Sequence, residues 1–194
     1  RRASWIPTGL RSGDPRSTGD AQAPPRVRLA IVGDVSRGEL DDGSDVPVGS
    51  ALNVTRHVRA MGLEPLLVTR VGDDAGGRRV VDILQGIGAD TSGVQLDPER
   101  PTWAGEDGAG PAWDRLDPDA AARVIETIAP PLAFQTTTAS RSEGARAALR
   151  AIRSATGVPF FGDVDLEQPW MRPDNLGPVL ERAGGKSVIH GPFT

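Results

Sequence analysis

The 194-residue chain contains no cysteine, so disulfide staples and thiolate-ligated zinc are excluded. Histidine is nearly absent too: His57 and His190 are the only two, far apart, which argues against a histidine-rich metal centre. Lys186 is the single lysine, and arginine supplies the rest of the positive charge. With a formal net charge of −4 and no basic cluster, nucleic acid is not an expected partner. No stretch approaches the roughly 20 consecutive apolar residues of a membrane-spanning helix, so a membrane is not expected as a partner either. Residues 1–26 are rich in Arg, Pro, Gly and Ser and lack the apolar core of a secretory signal. They read as a disordered leader ahead of a domain over 27–194, with the cytoplasm as the default location.

What is present is ordinary globular material, and the length suits one domain with at most a small appendage. Val27 to Val32 is a short β-rich run ended by Gly33-Asp34. Residues 35–48 are polar and Gly-rich, a loop or a short hairpin. Ser50 to Met61 has the apolar spacing of a helix, and Gly62 can end it with positive φ. Pro65 to Val71 reads as a strand. A helix follows over about 75–86, with Asp73 or Asp74 as its cap. Asp117-Pro118 opens another helix running to about Ile128. Leu132 to Gln135 is a strand, Ser142 caps a helix through Ala155, and Val158 to Val164 is a further strand. Leu176 to Ala183 reads as a last helix and Ser187 to His190 as a last strand. Alternating strands and helices predict an α/β fold with a mainly parallel sheet and flanking helices.

Such sheets bind ligands beyond the carboxyl ends of their strands. Asp34, Asp73, Asp74, Thr136, Thr137, Asp163 and Asp165 all fall there. Polar residues also follow strands simply because the chain emerges into water, so position alone does not make any of them a site residue.

Several elements in order are more specific. Val48-Gly49 is followed by Asn53 and Met61-Gly62. Val71-Gly72-Asp73-Asp74 then precedes Gly76-Gly77, and Ile87-Gly88-Ala89-Asp90-Thr91 precedes Val94 and Pro101-Thr102. Residues 160–171, FFGDVDLEQPWM, stand where a later Asp-x-Asn-x-Arg segment would fall. Together these resemble the PfkB-type (ribokinase-like) carbohydrate kinases, most closely the fructokinase-type members, over roughly residues 27–185. The resemblance implies a ribokinase-like (Rossmann-like) domain with a small β lid over a sugar cleft. Lid segments are expected near 35–48 and 94–113. It also implies transfer of the ATP γ-phosphate to a sugar hydroxyl, with magnesium. Gly49 and Asn53 would contact the sugar, joined by Asp34, Asp41 or Asp42. Glycine lets backbone approach the ring, and an Asn side chain both donates to and accepts from hydroxyls. The bland readings are that Gly49 is a turn and Asn53 an ordinary helix residue.

The chain departs from the family pattern in three places. Val48 replaces the first glycine of the Gly-Gly pair. In the Asp163, Asp165, Glu167 series, Asp165 and Glu167 stand in place of Asn and Arg, and a Glu repels a phosphate that an Arg would grip. Three acids could gather magnesium, but a solvated or helix-capping cluster is the reading preferred, and no metal ligand is assigned. Last, the family's Gly-Ala-Gly-Asp supplies an anion-binding helix start and the general base. Its only partial match here is Gly108-Ala109-Gly110, followed by Pro111. The expectation is a domain truncated before that motif, with an incomplete C-terminal half and a reduced lid, and no catalytic residue is assigned. ATP and magnesium are implied by the family, and the departures argue against their use by this chain alone. Whether the chain is an enzyme is left open between three roles: a sugar kinase incompetent alone, a non-catalytic sugar-binding or regulatory pseudokinase, and a protein–protein assembly module. The partners to test are a sugar, a second copy of the chain and a complementing chain.

Overall fold

A computed structural model describes residues 27–104, 109–136, 142–165 and 187–190. The expected leader and the expected helix at 176–183 lie outside the described residues. In chain order the elements are β1 (Arg28–Val32), β2 (Ser36–Glu39), β3 (Asp45–Val48), α1 (Ser50–Ala60), β4 (Glu64–Gly72), α2 (Ala75–Gly86) and β5 (Val94–Asp97). A single 3-10 turn (Ala112–Arg115) follows, then α3 (Pro118–Ile128), β6 (Ala133–Gln135), α4 (Glu143–Thr156), β7 (Phe160–Asp165) and β8 (Ser187–His190).

Six strands form one sheet in the order β5-β4-β1-β6-β7-β8. Every neighbouring pair in it is parallel. A parallel sheet built on crossover helices is covered on both faces, which is why its strands read as continuous apolar runs. Successive residues point to opposite faces, so adjacent residues of β1 serve different cores. Ile31 packs with Leu52, Leu67, Val80 and Leu84, under α1 and α2. Val32 packs with Leu66, Val68, Trp113, Ile125, Leu149 and Ile152, under α3 and α4.

Helix starts follow the capping chemistry. The Asp74 side chain accepts from the Gly77 amide, Asp117 from the Asp119 and Ala120 amides, and Ser142 from the Ala145 amide. Each satisfies amides that have no partner within their own helix.

The segment 35–48 is the hairpin alternative: β2 and β3 pair antiparallel as a separate two-stranded sheet. The stretch 94–113 divides. Val94–Asp97 joins the main sheet as the edge strand β5, parallel to β4, and Ala112–Arg115 is the 3-10 turn. Strand β5 has four residues with Leu96 half exposed, so no run of apolar residues marks it in the sequence. It is held partly from outside the ladder, by the Gln95 side chain bonding the backbone of Asp117 in both directions.

Candidate functional site

The carboxyl ends of β1, β4, β5 and β6 lie at one edge of the sheet, where Asp34, Asp73, Asp97 and Thr136 leave or end their strands. Asp34 is buried there, only 4% exposed. A cavity of about 220 Å³ opens beside it, walled by Asp34, Val35, Ser36 and Arg37 on one side and by Trp103 and Trp113 on the other. The chain reaches Asp34 through Gly33, where a Cβ would run into the Thr136 hydroxyl and the Ala51 methyl.

Gly49 adjoins this wall. Its φ of 119° is open to glycine and rarely to other residues. A Cβ there would stand 3.3 Å from the Ser36 amide nitrogen and 3.6 Å from the Asp34 carbonyl oxygen. Of the sequence-expected residues, Asp34 and Gly49 are thus brought together. Val48, the departure from the Gly-Gly pair, ends β3 opposite Ser36, and its methyls lie over Gly38, where a Cβ would come within 2.8 Å of Cγ1. The hairpin accommodates the valine by placing a glycine diagonally across from it, in register with Val46.

Asn53 is exposed, one turn into α1; its amide donates to the Gly49 carbonyl, and its own carbonyl bonds His57 Nδ1 at 2.7 Å. It does not line the Asp34 cavity. Asp42 belongs to the hairpin turn: one carboxylate oxygen accepts from the Ser44 amide and hydroxyl, at 2.9 and 2.6 Å. Those bonds hold its carboxyl below the ordinary aspartate range. Asp41 sits in the same exposed turn. Asp34 is therefore the one of the three acids that reaches the cavity.

Asp163 and Asp165 occupy alternate positions in β7, in register with Val188 and His190 of β8. Thr137 and Glu167 lie outside the described residues. Among the described residues no group of His, Cys, Asp and Glu side chains is placed to hold a metal ion.

The Gly-rich stretch after β4 is a structural joint. Asp74 Oδ1 accepts from the Gly77 amide at 2.8 Å and from the Thr102 hydroxyl at 2.6 Å; Asp74 Oδ2 accepts from the Thr102 amide at 2.8 Å. Burial pushes the Asp74 carboxyl up, and these bonds outweigh it, holding the group below its usual range. A Cβ at Gly77 would collide with the Gly72 carbonyl oxygen, so the first turn of α2 packs directly on the end of β4.

Asp97 gave no signal in the sequence. It is 1% exposed and ends β5. Its Oδ1 accepts from the amides of Glu99 and Arg100, at 2.9 and 3.0 Å, and its Oδ2 from Arg70 at 3.0 Å. Arg115 bridges on to Glu99 at 2.7 Å. Desolvation raises the Asp97 carboxyl, and the two amides with the Arg70 guanidinium bring it net below the ordinary value. The group shapes the turn that leads through Pro101 and Thr102 to Trp103, which lines the cavity. Two buried polar atoms at this edge, the Thr136 hydroxyl and the Trp103 indole nitrogen, make no hydrogen bond among the described residues.

Another cavity, of about 250 Å³, lies at the opposite, amino-terminal edge and is crossed by the Arg28–Glu64 ion pair at 3.3 Å. Parallel α/β sheets place ligands at the carboxyl edge, which makes the Asp34 cavity the candidate site. Chemically its lining combines an acid with indole rings: hydrogen-bond acceptance for hydroxyls, and an apolar face for the C–H side of a ring. Among the described residues no helix is long and apolar enough to cross a membrane.

No family model matches the chain. A 2-dehydro-3-deoxygluconokinase of Thermoproteus tenax is 43% identical over 54 residues, which is 28% of this chain and 17% of that protein. The fold matches aminoimidazole riboside kinase from Salmonella enterica with a TM-score of 0.61 at 20% identity, covering 84% of this chain and 58% of that one. It matches a sugar kinase from Pyrococcus horikoshii, in complex with ATP, with a TM-score of 0.63 at 19% identity, covering 80% and 59%. Fructokinase of Halothermothrix orenii matches with a TM-score of 0.55 at 18% identity, covering 84% and 79%. At such identities the likeness to the solved structures is one of fold. The chain spans under two thirds of the length of the first two structures. The resemblance to PfkB-type carbohydrate kinases read from the sequence is matched by these proteins, and the chain has the ribokinase-like α/β fold.

Proposed function

For a chain with the fold of the ribokinase- and fructokinase-type sugar kinases, we propose that the cavity beside Asp34 binds a monosaccharide, as the sugar-holding part of a PfkB-type carbohydrate kinase. The observation that carries this reading is the buried acid Asp34 at the carboxyl end of β1, which lines a small cavity together with Trp103. At about 220 Å³ the space is below the roughly 300–1,000 Å³ that drug-sized ligands occupy, which suits one small ring. Asp34 accepts hydrogen bonds from ring hydroxyls, charge-assisted and therefore stronger than neutral ones. Gly49 brings the start of α1 against the Asp34 backbone, and Asn53 stands one turn along that helix, where a hydroxyl reaching out of the cavity could meet it.

The reaction served is ATP-dependent phosphorylation of a sugar hydroxyl, with magnesium and in the cytoplasm, where ATP is supplied. In this reading the 194 residues bind sugar and do not transfer phosphate by themselves. They contain no Gly-Ala-Gly-Asp. The partial match at Ala109-Gly110 runs into Pro111, which caps a one-turn 3-10 helix and leaves no helix start to bind an anion. General-base and anion-hole contributions are each worth on the order of 10²–10⁴ and 10²–10³ in rate, so their absence abolishes useful turnover. An ADP-release assay with ribose, fructose and 2-dehydro-3-deoxygluconate tests this. No sugar-dependent ADP release, together with sugar binding, is the expected result. Sugar-dependent turnover that disappears in Asp34→Ala would refute the incompetence and keep the sugar site.

A further inference from the structure

The first turn of α2 does more than begin a helix. Thr102 lies twenty-eight residues beyond Asp74 and is 2% exposed. Its amide and hydroxyl both donate to the Asp74 carboxylate, and its hydroxyl accepts from the Gly72 amide at 3.0 Å. Every polar atom by which residue 102 could be steered is therefore engaged by the β4–α2 joint, its carbonyl excepted. The next residue is Trp103, which walls the Asp34 cavity. The six-membered edge of its indole lies over Gly76, where a Cβ would come within 2.7 Å of Cη2 and Cζ3. The same helical turn thus grips residue 102 by hydrogen bonds and supports residue 103 by a surface that only glycine leaves flat.

We propose that Asp74 and Thr102 form a latch that positions Trp103 as the ligand-facing wall of the Asp34 cavity. Asp74 is then a positioning residue and touches no ligand. The proposal rests on the sugar-binding reading of that cavity. The carboxylate is required as such. In Asp74→Asn one oxygen can still serve the Gly77 amide and the Thr102 hydroxyl, but the new NH₂ group faces the Thr102 N–H, donor against donor. Thr102→Val removes the hydroxyl that joins Gly72 to Asp74, whereas Thr102→Ser keeps it.

The test uses the full chain with ribose, fructose and 2-dehydro-3-deoxygluconate as probes, titrated calorimetrically. In parallel, the indole N–H signal of Trp103 is followed by NMR, identified by its loss in Trp103→Phe. For whichever probe binds, Asp74→Asn and Thr102→Val should weaken affinity by about tenfold, the equivalent of one hydrogen bond, while Thr102→Ser stays near wild type. The Trp103 signal should shift in the first two variants and hold in the third. Gly157→Ala strains the left-handed C-cap of α4 at the amino edge of the sheet, away from the cavity; it should lower stability and leave both affinity and signal unmoved. Unchanged affinity and an unchanged Trp103 signal in Asp74→Asn overturn the latch while the sugar site stands. If wild type binds none of the probes, the sugar reading fails, and a Trp103 signal that ignores Asp74→Asn rejects the latch independently.

Discussion

The Asp74 carboxylate and Thr102 meet across twenty-eight residues, at 2.6 Å to the hydroxyl and 2.8 Å to the amide. This pair ties the helix after β4 to the loop after β5, and the two sequence elements that looked like separate fragments of one motif are a single joint.

Thr102→Val should destabilise the fold by about 2 kcal/mol, because it leaves the buried Gly72 amide without its acceptor and Asp74 without one donor. Urea unfolding checks it. A midpoint equal to wild type would mean that the joint does not hold the loop.

Gly76→Ala should lower stability, contrary to helix propensity. Alanine is favoured over glycine by about 1 kcal/mol inside a helix. Against that, a Cβ would come within 2.7 Å of the Trp103 ring, and overpacking of this kind costs about 1–3 kcal/mol. Combining it with Trp103→Leu should recover most of the loss in a double-mutant cycle. Gly76→Ala alone raising Tm would show that the ring moves aside freely.

Asp97 gives the chain an acid-side sensitivity. Its folded carboxyl lies below the ordinary aspartate value of 3.8, so its contribution is fully present above that value and is lost as pH falls through the lower, folded one. The groups facing it are Arg70, Arg115 and Glu99. Asp74 titrates in the same sense and adds to the loss. Thermal melts taken from about pH 5 down to about pH 2 should fall more steeply for wild type than for Asp97→Asn. At neutral pH Asp97→Ala should cost on the order of 3 kcal/mol, since it strips Arg70 of its buried partner. Parallel melts for the two proteins would remove Asp97 from the acid response.

The regular elements were legible wherever local chemistry agreed with the fold. Asp117-Pro118 and Ser142 opened their helices as their capping chemistry requires, and the apolar runs at 27–32 and 65–71 became the central parallel strands. Strand β5 was not legible, because Leu96 is exposed and the strand is held by Gln95 and Asp97 rather than by an apolar run. The cavity's indole walls were not legible either: Trp113 is core and lines the cavity at once, and the place of Trp103 depends on where the 97–102 turn delivers it. The choice among Asp34, Asp41 and Asp42 needed three dimensions: all three follow β1 closely, and only the hairpin geometry shows Asp42 spent on Ser44. Asp97 was invisible because an acid before a proline in a polar stretch looks like any loop residue until its amide and Arg70 partners fold around it.

The sugar site at Asp34 is tested most directly by calorimetric titration of the wild-type chain and of Asp34→Ala with ribose, fructose and 2-dehydro-3-deoxygluconate. The account predicts that wild type binds at least one of them. In Asp34→Ala that affinity should fall by roughly tenfold or more, as expected for losing a charge-assisted hydrogen bond, with the fold intact by circular dichroism. Equal affinity in the two proteins, or heat from none of the three sugars with wild type, would contradict it.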